Sequence, residues 1–203
     1  MPHLLGITGN IACGKSTIGA MLLQLGADDY IDADQIVHEM YLPGAETYTA
    51  VTEHFGQEII AADGAIDRQK LGAIVFSDPQ KLAQLEKLTH ATVEQVIGKR
   101  VAALQDEQIA VIDAVKLLEG GLSHMCEAVW IIACDISVEM ERLIRIRGLT
   151  QQEAAQRIAA QPDRSLQKSL VDVVIDNSGD LSITHQQVAN AWRRFLQRIG
   201  SVS

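Results

Sequence analysis

Five short apolar runs punctuate the chain: "HLLGIT" at 3–8, "YI" at 30–31, "IAVID" at 109–113, "AVWIIA" at 128–133 and "VDVVID" at 171–176. They are continuously apolar rather than alternating, the pattern of strands buried on both faces. Between the first two, Ile18, Met21, Leu22 and Leu25 recur at three and four residues, which predicts a helix, and Gly26 stands where a C-terminal cap would end it. Strand, loop, helix and strand make a crossover unit. The fold class expected is therefore α/β, a mainly parallel sheet with helices on both faces and ligands at the carboxyl ends of its strands.

From about Gln35 to Gln105 the chain is polar-patterned and far longer than one crossover helix requires, so it predicts a helical substrate lobe. Within it "DGAID" at 63–67 reads as a turn before a helix, "SDPQ" at 77–80 as a cap with Pro near the first helical position, and 81–104 as helical. A second insertion runs from Arg142 to Leu170, with Arg142, Arg145, Arg147, Arg157, Arg164 and Lys168 around two short helices broken near Gly148 and Pro162. The expected partition is a core of 1–34, 106–141 and 171–203, a lobe of 35–105 and a lid of 142–170. No internal repeat or low-complexity segment interrupts it.

Composition narrows the function classes more than it changes this picture. With 203 residues, 47% of them hydrophobic, the chain can bury one good core with an embellishment. A net charge of -9 argues against general binding to nucleic acid or to an anionic membrane. No apolar run approaches the roughly 18 residues needed to cross a bilayer, and nothing at the N-terminus reads as a signal peptide. Cys13, Cys126 and Cys134 are odd in number and widely spread, which fits reduced thiols and a cytoplasmic location. Monomer and homo-oligomer both stay open.

The chemistry concentrates after the first run. Gly9, Gly14, Lys15 and Ser16 fit the spacing G-x-x-x-x-G-K-[ST] between a strand and a helix starting near Ser16. In such a loop backbone N–H groups wrap a phosphate, the lysine reaches the outer phosphates and the serine hydroxyl binds magnesium, while the helix N-terminus adds its positive dipole end. Cys13 reads as a small spacer contributing its backbone N–H, or as a thiol activated by that helix end. Asp113 closes the third run, where a carboxylate can hold magnesium directly or through water; a strand-end cap is the plainer reading. Asp32 and Asp34 share one face if the segment is extended, and Asp34 can also cap a helix starting at Gln35. One carboxylate is then structural and the other free to accept a proton from an alcohol acceptor, as a kinase requires. The arginines of 142–170 can close over transferring phosphate or simply line solvated helix faces, the latter best suited to Arg145 and Lys168.

Taken in order, "GITGNIACGKST", "LGADDYIDADQIVHE", "FGQEII", "DGAIDRQKLGAIVFSDP", "LEKLTH", "RIAAQ" and "DVVIDNSGD" resemble the dephospho-CoA kinase family across nearly the whole chain. The resemblance implies a three-layer α/β/α P-loop kinase with a five-stranded parallel sheet, a helical substrate-binding lobe and a small helical lid. It implies phosphorylation of the ribose 3′-hydroxyl of dephospho-CoA by ATP with Mg2+, the last step of coenzyme A biosynthesis. By matching motif it makes Asp34 the base and Lys15 and Arg142 catalytic. ATP falls to Gly9, Asn10, Ile11, Ala12, Cys13, Gly14, Lys15, Ser16, Thr17, Arg157 and Asn177; the acceptor to Thr8, Asp34, His90 and Arg164; the metal to Ser16 and Asp113. His90 on its own reads more simply as a helix-surface or core histidine, and Asp176 and Asn177 as turn builders.

The sequence also departs from the family pattern. Asn10 and Ala12 stand where the family loop is commonly Gly, and Ala12 is expected to keep a φ allowed to a residue with a Cβ. "AVKLLEGG" follows Asp113 in place of an apolar residue, Pro and aliphatics, setting Lys116 among apolar neighbours, and Ala91 replaces the Pro after His90. Another small-metabolite kinase and a catalytically lapsed nucleotide-binding protein are the competing readings. A GTPase-like switch would show N-K-x-D, which is absent from the sequence.

Overall fold

A computed structural model describes residues 1–75, 77–119, 121–161 and 170–200. Five strands, β1 (His3–Gly9), β2 (Asp29–Asp32), β3 (Ile109–Asp113), β4 (Ala128–Ala133) and β5 (Val173–Asp176), form one parallel sheet in the order β2-β3-β1-β4-β5. All five apolar runs became strands. The edges differ: β1 carries one more residue than expected and β5 starts two residues later, with Asp172 instead using its carboxylate to accept from Val129 N–H. Eight α-helices accompany them among the described residues: α1 (Lys15–Gln24), α2 (Ala33–Met40), α3 (Glu46–Phe55), α4 (Arg68–Val75), α5 (Pro79–Ala102), α6 (Ile136–Arg145), α7 (Gln151–Ala159) and α8 (Leu181–Arg198).

The chain divides into two compact units, Met1–Ile31 with Leu104–Ser203, and Asp32–Ala103. In the first, alternate strand residues face one helical layer. Leu5 and Ile7 of β1, Ile109 and Val111 of β3, and Trp130 and Ile132 of β4 pack with Ile18, Met21 and Leu22 of α1 and Val188, Trp192 and Phe195 of α8. α1 and α8 are further tied by the Trp192 indole N–H donating to Leu25 carbonyl at 2.9 Å. On the opposite face of β1, Gly6 leaves space filled by Leu117 and Cys126. Gly26, at φ 108, ends α1 as expected, with its N–H on Leu23 carbonyl and that of Ala27 on Leu22 carbonyl.

The second unit closes over Tyr41, Val51, Phe55, Ile59, Ile66, Leu71 and Val75. The "DGAID" turn is present: Ala61 N–H donates to Ala65 carbonyl, and Asp67 accepts from Gln69 and Lys70 N–H at the start of α4. Asp78 caps α5 by accepting from Gln80 and Lys81, and Pro79 occupies its first turn, where the missing N–H costs nothing. α5 therefore starts two residues before the expected span and stops two residues sooner.

The turn from β1 into α1 is built on two left-handed residues, Ala12 at φ 58 and Gly14 at φ 97. For Ala12 this is the narrow left-handed region open to a residue with a Cβ, reached at a steric cost that glycine does not bear. Left-handed residues of this kind give a backbone the concave turn that binds anions, and the alanine follows that path. Ala12→Gly is accordingly expected to stabilise the folded chain by ~1 kcal/mol, the relief of left-handed strain outweighing the added unfolded-state entropy; a lower midpoint in chemical denaturation would contradict it. Leu22 is fully buried between α1 and the sheet. Leu22→Ala should lower stability by about 2–5 kcal/mol in the same experiment, through lost transfer energy and a residual cavity.

Candidate nucleotide site

The loop after β1 lies at the point where the sheet order reverses, with β3 on one side of β1 and β4 on the other. That is where an open α/β sheet leaves a crevice at its carboxyl edge. A loop whose N–H groups point inward has carbonyls pointing outward, and these need donors of their own. Two side chains supply them. Arg142 on α6 donates through Nη1 to Ala12 and Cys13 carbonyls, both at 3.2 Å, and through Nη2 to Asn177 carbonyl at 2.8 Å. Asn177, buried after β5, donates through Nδ2 to Cys13 carbonyl at 2.8 Å, while its Oδ1 accepts from Thr184 hydroxyl at 3.1 Å. Gly14 is fixed by the same contact, because a Cβ there would collide with the Asn177 amide.

Arg142, expected to be catalytic, turns its guanidinium to three carbonyls from the last turn of α6, ahead of the Gly148 turn. Asn177, assigned to the nucleotide, likewise holds the loop from behind. Cys13 donates its N–H to Asn10 carbonyl at 3.4 Å, and its side chain, with 0% exposure, belongs to the apolar cluster on one face of the sheet, so the activated-thiol reading fails. Burial first, then the neighbouring Glu127 carboxylate, pushes the Cys126 thiol up to about 12; burial first, then Glu139, does the same for Cys134.

Inside the loop, Lys15 Nζ donates to Gly9 carbonyl at 3.3 Å, folded across the turn. Ser16 and Thr17 are exposed in the first turn of α1, which begins one residue before the expected Ser16. Ile11 N–H donates to Gln161 Oε1 at 3.2 Å, so a side chain from beyond α7 satisfies one of the anion-facing N–H groups. Gln161 belongs to the "RIAAQ" segment but was not singled out as a site residue. Thr8, assigned to the acceptor, is fully buried and donates its hydroxyl to Val115 carbonyl at 3.1 Å, tying the end of β1 to the turn after β3.

Asp113 ends β3 opposite Ile7 of β1, 4% exposed, with its Oδ2 accepting from Tyr30 hydroxyl at 2.5 Å. It shares a sheet face with Ile109 and Val111, which pack on α1, so its carboxylate points to the side from which Ser16 rises. Among the described residues no group of three His, Cys, Asp or Glu could hold a metal. One carboxylate and one hydroxyl suit magnesium nonetheless, because that ion takes few protein ligands and completes its shell with water and nucleotide phosphate. Lys116 is exposed in the turn that follows.

In the second unit the paired carboxylates resolve. α2 starts at Ala33, and Asp32 is its cap, accepting from Gln35 N–H at 3.0 Å. The shared extended face and the capping role for Asp34 are both corrected: Asp34 is exposed in the first helical turn, since the cap is taken two residues earlier. His90 is exposed on α5, one residue past buried Thr89. Arg157 is exposed on α7, four residues after Glu153, whose carboxylate is held below its usual range first by the Thr150 hydroxyl and N–H and more weakly by Arg157. Arg145 pairs with Glu141 at 2.6 Å on a solvated face, as expected. Arg164, Lys168 and Pro162 lie outside the described residues.

The chain as a whole matches known proteins. The dephospho-CoA kinase family model matches residues 3–182. A dephospho-CoA kinase from Symbiobacterium thermophilum is 40% identical over 193 residues, covering 94% of this chain and 80% of that one. One from Streptomyces avermitilis is 36% identical over 193 residues, covering 95% and 94%. Among solved structures, TT1252 from Thermus thermophilus superposes with a TM-score of 0.82 at 26% identity, over 96% of this chain and 98% of that one. The dephospho-CoA kinase from Campylobacter jejuni has a TM-score of 0.67 at 24% identity, a likeness of fold. A family match over 180 positions, joined to relatives of 40% and 36% identity covered over 80% and 94% of their length, means that the chain belongs to the dephospho-CoA kinase family.

Proposed function

We propose that this protein transfers the γ-phosphate of ATP to the ribose 3′-hydroxyl of dephospho-CoA, giving CoA and ADP, the last step of coenzyme A biosynthesis. The observation that carries the reading is the loop Gly9–Thr17, whose Ala12 and Cys13 carbonyls are tied back by Arg142 and Asn177, the arrangement an anion-binding turn needs. An ATP phosphate chain entering there displaces Gln161 from Ile11 N–H and Lys15 from Gly9 carbonyl. Both contacts are single neutral or singly charged hydrogen bonds, and charge-assisted bonds to phosphate are stronger.

In the transfer, the acceptor hydroxyl gives its proton to Asp34 as its oxygen bonds to the γ-phosphorus. The bond to the β,γ-bridging oxygen breaks and ADP departs with that electron pair. Asp34 is preferred to Asp32 as the base, because Asp32 Oδ1 is engaged in capping α2. Lys15 follows the developing charge on the transferring group, as its position in the loop and its long flexible stem allow. Ser16 and Asp113 would hold a magnesium ion, which when bound neutralises charge on the phosphate oxygens. Arg142 acts as a positioning residue for the loop, with Arg157 and Arg164 the remaining candidates for contact with phosphate. His90 is the candidate for contact with the acceptor. A cytoplasmic setting belongs to the same reading, since three free, dispersed thiols suit a reducing compartment.

Magnesium-dependent ADP release with dephospho-CoA, beside AMP, shikimate, gluconate and no acceptor, tests the reading, with CoA confirmed by mass. Turnover restricted to dephospho-CoA is expected; equal turnover with another acceptor would reassign the substrate. Asp34→Asn should bind ATP within about twofold of the parent yet lose about 10²–10⁴ in kcat, the usual contribution of a positioned base. A variant that keeps most of its turnover removes Asp34 from that role.

A further inference from the structure

Gly19 sits in the middle of α1, where glycine is a poor helix former, and no turn or cap requires it. The reason lies across the layer. A Cβ at Gly19 would run into the ring of Tyr30, with Cδ2 and Cζ each 2.7 Å away and Cε2 nearer still. Tyr30 rises from β2, lays its ring over the Gly19 backbone and ends with its hydroxyl on Asp113 Oδ2 at 2.5 Å. The glycine is therefore the opening through which a phenol from an edge strand reaches a carboxylate beside the nucleotide loop.

A buried carboxylate requires donors or a cation. Arginine or lysine in the place of Tyr30 would supply a donor but also cancel the charge. A phenol fixes one oxygen without itself neutralising the group, which suits a carboxylate whose work is to attract a cation. Outer hydrogen bonds of this kind set the orientation of metal-binding groups and so their affinity. The geometry points to Tyr30 as a positioning residue that orients Asp113 toward the magnesium of the nucleotide, with Gly19 as the helix position that admits it. This rests on the reading of Asp113 as a magnesium group, and the sequence offered no hint of it beyond a tyrosine in a two-residue apolar run.

Tyr30→Phe keeps the ring and removes only the hydroxyl. Mn2+ binding to the ADP complex, followed by electron paramagnetic resonance, is expected to weaken about tenfold, the lower end of the range for outer hydrogen-bonding partners of a metal site. ADP binding in EDTA should stay unchanged, and the Mg2+ concentration for half-maximal turnover should rise in parallel with the Mn2+ constant. Gly19→Ala should weaken Mn2+ similarly and also lower the melting temperature. In Gly19→Ala/Tyr30→Val, where no ring remains to collide, the melting temperature should recover while Mn2+ binding stays weak. A purely structural pair would instead lose stability with Mn2+ affinity intact, and that result overturns the inference. Asp113→Asn separates the two ways of failing. If it weakens Mn2+ and Tyr30→Phe does not, Tyr30 has no positioning role; if neither does, Asp113 is not a metal group and the inference falls with it.

Discussion

An anion-binding loop must turn its amides inward, and it can do so only if the carbonyls thrown outward find donors. Here the donors come from far along the chain. Arg142 and Asn177, 129 and 164 residues from Cys13, converge on the same few carbonyl groups, and Asn177 is itself fixed by β4 through Ala133 carbonyl and by Thr184 at the start of α8. The parallel register of β1, β4 and β5 brings these donors to the loop. Nucleotide binding is thus a property of one half of the sheet, and the nine-residue motif is its visible part.

The legible and illegible features of the sequence divide along that line. Strands β3 and β4 were readable to the residue, because a strand buried on both faces leaves a run of apolar side chains with polar ends. The loop was readable because its chemistry is local, fixed by spacing between neighbours. Arg142 shows the opposite case: its hold on the carbonyls of Ala12, Cys13 and Asn177 spans distant parts of the chain and leaves no local mark in the sequence. The start of α2 was misread because Asp32 and Asp34 are both good capping residues, and only the backbone tells which oxygen meets Gln35 N–H. Tyr30 was unreadable, since a lone tyrosine in a strand is ordinary and its partner is 83 residues away.

Local compromises gather around the site. Ala12 holds a left-handed backbone that suits glycine, while Gly19 occupies a helical position that suits alanine. By intrinsic propensity each is unfavourable by roughly 1 kcal/mol, and both lie within one turn of helix from the loop. At Gly19 the ring of Tyr30 forbids the exchange, so propensity yields there to packing. Their presence fits a loop and helix shaped by what must approach them, with the remaining core packed conventionally enough to absorb the strain.

The sealed thiol of Cys13 carries one more consequence. Its sulfur lies beneath a loop that binds anions, in contact with core residues and without exposure, whereas Cys126 and Cys134 sit nearer the surface as weakly acidic thiols. No electrophile can reach it while the turn is closed, so reaction at that one atom counts excursions in which the loop lifts from the sheet. The protein carries its own clock for the opening of its phosphate cradle.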